Sequence, residues 1–206
     1  LLTRYPRVML NLLKIVMNRL RQTTRRANQR SRPKTFAVIP LQQGVRGFAV
    51  VRPLVDTLVA MGAKAALLNA ENAHESTDWF NRFEASHDVV FYHGDSPDSA
   101  WTQFCLRQAD HVFLVARSDE SIPLHPFERR FFKRDLGAPP ELLLVHPSGV
   151  GPSLPSHIEL RRDLFETHHH IREGADADIK RLARFISGSS VNVVLAGGGA
   201  RGFAHI

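Results

Sequence analysis

Between Lys34 and His146 short apolar runs alternate with helix-length amphipathic segments, and this alternation constrains the fold more than any other feature. Thr35–Pro40, Lys64–Asn69, Asp88–Tyr92, His111–Ala116 and Glu141–His146 read as strands, being short, apolar and bounded by polar or turn-forming residues. Phe48–Met61 reads as a helix, with Val51, Leu54, Val55, Leu58 and Val59 in register and Gly62 as its stop. Thr77–His87 and Phe127–Leu136 read as helices too, and Ser96-Pro97 looks like the cap and first turn of another that runs to about Ala109. Parallel strands need a long crossover, usually helical. The pattern therefore predicts an α/β fold, a Rossmann-like parallel sheet with helices on both faces. A last helix is expected over Asp176–Ser187, with Ile179, Leu182, Ala183 and Ile186 on one face and Gly188 closing it.

Such a sheet offers ligands the crevice beyond the carboxyl ends of its strands. The first loop there, Leu41-Gln42-Gln43-Gly44-Val45-Arg46-Gly47, has the outline of a phosphate loop but no Lys-Ser or Lys-Thr. Phosphate could still meet N–H groups at the following helix start, although an ordinary connection is the expectation. Asp110, Asp119 and Glu120 flank the fourth strand and are expected to be solvated in preference to metal-binding. Pro147–Pro155 is expected to be an irregular loop. In a strand, His168, His169 and His170 would point to alternating faces, leaving two imidazoles together without a neighbouring Cys or carboxylate. Neither a metal nor a cofactor is expected.

The formal charge of +7 is unevenly placed. Residues 1–34 carry ten Lys or Arg and no acid, so the remaining 172 hold 17 basic and 20 acidic groups, about −3. Nucleic acid is not an expected partner. Tyr5 to about Arg26 reads as a basic amphipathic helix, with Val8, Met9, Leu12, Leu13, Val16, Met17 and Leu20 as its stripe. That stripe suits an anionic membrane surface or the face of another domain. Arg25–Lys34 reads as a linker. Cys105 is alone, which excludes an internal disulfide, and no run of 18 apolar residues is present. The location expected is cytoplasmic, peripheral on a membrane at most. With no initiator Met and a motif cut short at residue 206, an internal piece of a longer protein is the expectation.

Val191-Asn192-Val193-Val194-Leu195 reads as a buried strand running into Gly197-Gly198-Gly199-Ala200-Arg201-Gly202. Strand, glycine loop and helix start together make a site where backbone N–H groups face an anion. Three anions come into question. Lys-Ser/Thr is missing, so a P-loop fails. Gly197, Gly199 and Gly202 satisfy G-x-G-x-x-G, but the acid a dinucleotide fold wants about 20 residues on lies beyond residue 206. An oxyanion hole, in which amides hold the alkoxide of acyl transfer, is the third reading. Arg201 suits an anionic transition state or a phospholipid phosphate.

Gly197 to Ile206 resembles the opening motif of the patatin-like phospholipases. Pro40, Trp101–Asp110 and Arg181–Gly188 are similar to the neuropathy target esterase branch of that family. The resemblance implies a serine esterase acting on phospholipid or lysophospholipid acyl esters. Gly197, Gly198, Gly199, Ala200, Arg201 and Gly202 would form its oxyanion hole, and its Ser-Asp dyad would lie outside these residues. It also implies that 1–33 closes an upstream cyclic-nucleotide-binding-like domain and that 34–175 is a nucleotide-binding-like α/β domain. On that map 176–190 is a connecting helix and 191–206 the start of the patatin domain. By itself such a piece is expected to be inactive. The alternative is a nucleotide-binding or regulatory module without hydrolase activity.

Overall fold

The computed structural model describes residues 34–42, 47–120, 128, 140–149, 161, 165 and 167–190. The chain divides into two compact units, Leu1–Arg32 and Pro33–Ile206, and every described residue belongs to the second. The helix expected over Tyr5–Arg26, the linker after it, the helix over Phe127–Leu136, most of loops 41–47 and 147–155, and the glycine loop at 197–202 fall outside the described residues.

Six strands form one sheet: β1 (Thr35–Pro40), β2 (Ala65–Leu68), β3 (Val89–His93), β4 (His111–Arg117), β5 (Glu141–His146) and β6 (His168–Arg172). Their order is β2-β3-β1-β4-β5-β6, and all neighbours run parallel. The Rossmann-like sheet read from the sequence is therefore the fold. The four helices among the described residues are α1 (Gly47–Ala60), α2 (Thr77–Ser86), α3 (Ala100–Gln108) and α4 (Asp176–Ile186).

β1 and β5 are buried along their whole length, as near-continuous apolar runs require. Alternation along the strands splits the core in two. Phe36, Val38, Phe113, Val115, Leu143 and Val145 face α1 and α4. Ala37, Ile39, Tyr92, Leu114, Leu142 and Leu144 face Phe80 of α2 and Trp101 and Cys105 of α3. The segment expected to connect two domains thus opens with a helix whose Ile179, Leu182, Ala183 and Ile186 belong to the same core as α1.

Side chains set the boundaries that periodicity missed. Lys64 leaves β2 because its N–H donates to the Asp88 carboxylate (2.8 Å). Asn69 ends the strand by capping a 3₁₀ turn over Ala70–His74, which the sequence reading did not anticipate. Ser76 caps α2; α3 is capped by Ser99 and not by the expected Ser96, since Ser99 Oγ is the acceptor for the Thr102 N–H and the helix starts at Ala100. Arg161 and Glu128, far apart in sequence, form a fully buried two-point ion pair at 2.7 and 2.8 Å.

Candidate functional site

In a sheet of this order β1 lies between β3 and β4, and the connections diverge there, which opens a ligand crevice at the carboxyl edge. In this protein its own side chains span that edge. Beyond β1 the Leu41 N–H donates to Val115 O (2.9 Å). Gln42 then prolongs the ladder: its Oε1 accepts from the Arg117 N–H (3.0 Å) and its Nε2 donates to Glu120 Oε2 (2.9 Å). Arg117 reaches Asp119 through Nε and Nη2 (2.9 and 2.8 Å) and Glu173 through Nη1 (3.3 Å). Glu120 stands 3.5 Å from its Nε. The guanidinium is held charged by these carboxylates, Asp119 foremost, and Asp119 is held below its usual range by the hydrogen bonds from Arg117.

The start of α1 is equally close-packed. Gly47 occupies the helix start, and a Cβ there would stand 2.9 Å from His93 Nε2. Burial lowers the His93 pKa, which leaves the ring neutral near pH 7. Its carbonyl accepts from Trp101 Nε1 (2.8 Å), fixing the end of β3 to α3. Asp95 Oδ1 accepts from the Ser96 N–H (2.8 Å), the Ser99 hydroxyl and the Thr102 hydroxyl (3.2 Å). Burial would raise the Asp95 pKa, but those donors outweigh it and the carboxyl sits below its ordinary value. This carboxylate organises the α3 cap.

The three carboxylates considered from sequence as metal ligands do not gather in one place. Asp110 closes the opposite edge of β4, where its Oδ2 accepts from the N–H groups of Lys34 and Thr35 (3.0 and 3.2 Å). Asp119 and Glu120 belong to the Arg117 cluster. Among the described residues no group of three His, Cys, Asp or Glu side chains is placed to hold a metal. Burial pushes the Cys105 thiol up to about 12, so it is a packing group and not a nucleophile.

The histidine run forms β6 and alternates as a strand must. His169 turns to the α1/α4 face, where its Nε2 meets Glu141 Oε2 at 2.7 Å. Glu141 Oε1 lies 3.2 Å from His111 Nε2, off the line of a hydrogen bond. The carboxylate absent from the neighbouring sequence is thus supplied by β5. Burial would raise the Glu141 pKa, but the two imidazoles outweigh it and hold the group below its usual range. His170, on the other face, meets His146 Nε2 through its Nδ1 at 2.7 Å. Glu141 and His146 are polar ends on an otherwise apolar buried strand, and that was the available signal: a buried polar group requires a partner. No sequence spacing identified which partner.

A parallel α/β sheet whose carboxyl-edge crevice is spanned by its own side chains, with no Lys-Ser or Lys-Thr in the sequence of its first loop, defines a P-loop-like class of fold. The sequence matches the Neuropathy Target Esterase family P-loop like domain over residues 32–187, and the chain belongs to that family. It is 28% identical over 255 residues to the neuropathy target esterase sws of Drosophila mojavensis, covering 98% of this chain. The Drosophila melanogaster sws protein is 29% identical over 201 residues, covering 84%. The chain spans only 17% and 14% of the lengths of these two relatives. Among solved structures, a chain of the MinC:MinD cell division protein complex of Aquifex aeolicus superposes with a TM-score of 0.58 at 10% identity. That match covers 80% of this chain and 100% of the other, a likeness of fold. No helix among the described residues is long and apolar enough to cross a membrane.

Proposed function

We propose that this chain is part of a patatin-type serine esterase that hydrolyses acyl esters of phospholipids or lysophospholipids. Residues 34–190 serve in it as a non-catalytic α/β module ahead of the oxyanion-hole loop. The observation that carries this reading is the family match over 32–187, which leaves three residues before Val191, where the strand expected to lead into Gly197 begins. Amides of Gly198, Gly199 and Ala200 hold the oxygen that gains charge as a serine attacks the ester carbonyl. Loss of one such donor costs about 3–4 kcal/mol of barrier. Residues 1–206 contain no G-x-S-x-G, so the nucleophile comes from sequence outside them. Arg201 orients the loop or an anionic head group. The basic residues of 1–34 draw the protein to anionic lipid, and a cyclic-nucleotide-binding-like domain upstream regulates it.

The test uses the whole protein with a fluorophosphonate probe and a lysophospholipid substrate. Wild type is labelled and turns over. Gly198→Val and Gly199→Val reduce kcat at least a hundredfold, with the unfolding transition of the α/β module unchanged. Undiminished turnover in both variants refutes the reading.

The P-loop-like architecture favours a second reading, a nucleotide-binding module. Against it stand Arg117, already engaged with three carboxylates, and Gln42 bridging the mouth between β1 and β4. Among the described residues, a polyphosphate there meets Asp119, Glu120 and Glu173 around a guanidinium they already engage. Titration with Mg-ATP is expected to give no saturation to millimolar concentration. Saturable binding would establish the second reading.

A further inference from the structure

We propose that His146 and His170 form an acid-sensitive latch across the β5–β6 seam, holding β6 and α4 in place while the pair is neutral and releasing them when it takes up protons. This inference is independent of the esterase reading.

Geometry carries it. The two nitrogens lie 2.7 Å apart, the ring planes are inclined by 18°, and the centroids are 5.0 Å apart. An imidazole nitrogen sits about 1.15 Å from its ring centre, so 5.0 Å is close to the greatest separation such a contact allows. The rings are therefore nearly coplanar and end to end, joined by a straight N–H···N bond, and are not face to face. One nitrogen donates and the other accepts. A second proton at this contact leaves two donors and no acceptor, so a doubly charged pair cannot keep the bond.

A first proton is unfavourable too. His146 has no exposed surface, and its Nδ1 is shut off from water without a hydrogen-bond partner. The charged and titratable groups around the pair offer little compensation. From β6, Arg172 and His168 are cationic or able to become so, and from α4 Arg181 donates to the His170 carbonyl. Among the described residues the carboxylate acting on both rings is Asp178 of α4, which accepts from the Arg172 N–H, Nε and Nη2 at 3.0, 2.8 and 3.1 Å. At the carboxyl edge Arg117 and Glu173 engage each other. Burial accordingly lowers both imidazole pKa values, with Arg172 acting in the same sense on His146, and His146, His168 and Arg181 on His170.

The sign follows. A histidine whose folded pKa lies below its unfolded value of about 6.5 leaves stability intact above that pH and drains it below, because the unfolded chain binds the proton. Each ring lowers the folded-to-unfolded ratio by up to about tenfold per pH unit, and two rings by up to about a hundredfold. The release falls on α4 because Arg172–Asp178 and Arg181 tie that helix to β6.

The test compares the full chain with the double variant His146→Gln/His170→Asn. Glutamine places its amide where Nε2 stood and asparagine where Nδ1 stood, preserving a hydrogen bond that does not titrate. Denaturant unfolding at pH 7.5 and 5.5 should show a folded-to-unfolded ratio that falls at least tenfold more in wild type than in the variant. Equal acid slopes overturn the latch. Hydrogen exchange on wild type alone gives a second reading, which decides the matter if the variant does not fold. After correction for intrinsic rates, Ile171, Arg172 and the α4 amides should lose protection between pH 7 and 5.5 while β1 and β3 keep theirs. Unchanged protection at Ile171 and Arg172 while both imidazoles titrate near 6.5 also overturns it.

Discussion

Gly94→Ala is a direct test of how closely the carboxyl edge is packed. Gly94 follows β3 and donates its N–H to Val38 O at 2.9 Å. A Cβ there would stand 2.6 Å from Thr102 Oγ1 and 2.7 Å from Ile39 Cδ1, where ordinary contact begins at 3.4 Å. The shortfall is 0.8 and 0.7 Å against two side chains with no exposed surface. Gly94 is not among the glycines with positive φ, so alanine meets no backbone penalty and the whole cost is steric. Thr102 cannot yield freely, because its hydroxyl donates to Asp95. Overpacking of this kind costs about 1–3 kcal/mol, and two opposed contacts put Gly94→Ala in the upper half of that range. Urea unfolding should show a lower midpoint with an unchanged slope. Ile39→Val removes one of the colliding atoms and by itself costs about 0.5–1.5 kcal/mol. Combined with Gly94→Ala it should cost less than the two single changes added together, by about 1 kcal/mol. A Gly94→Ala protein within about 0.5 kcal/mol of wild type would refute the packing argument.

Two further outcomes follow from the core. Leu182→Ala, on a helix with no exposed surface at that position, should cost about 2–5 kcal/mol in the same assay; a loss below about 1 kcal/mol would mean α4 is only loosely attached. Glu141 has a folded pKa below its unfolded value, so its contribution is complete above pH ~4.3 and is lost as pH falls through the folded value. Glu141→Gln should therefore flatten the acid limb below pH 4, and a variant with the wild-type limb would remove Glu141 as its source.

Much of the sheet was legible because its signal is local. Apolar runs such as Thr35–Pro40 and Glu141–His146 are short, bounded and separated by helical repeats, and each could be read without knowing its neighbours. The existence of α3 was legible but its cap was not: Ser96-Pro97 reads as cap and first turn, whereas Ser99 caps the helix, because Asp95 accepts from the Ser96 N–H and the Ser99 hydroxyl and holds residues 96–99 as a turn ahead of it. The 3₁₀ turn after Asn69 was not legible either, because its side-chain bonds compete with the strand only once β2 ends there.

The edge chemistry was not legible in the same way. That loop 41–47 lacks a phosphate-loop lysine is plain in the sequence. That Gln42 bridges Arg117 and Glu120 depends on two segments 75 and 78 residues apart meeting at one strand end. The histidine run shows the division most clearly. Strand alternation alone put His169 opposite His168 and His170. Only the placement of β6 beside β5 chose Glu141 for His169 and His146 for His170, because sheet register is set by burial and crossover packing summed over whole elements and is encoded in no single residue.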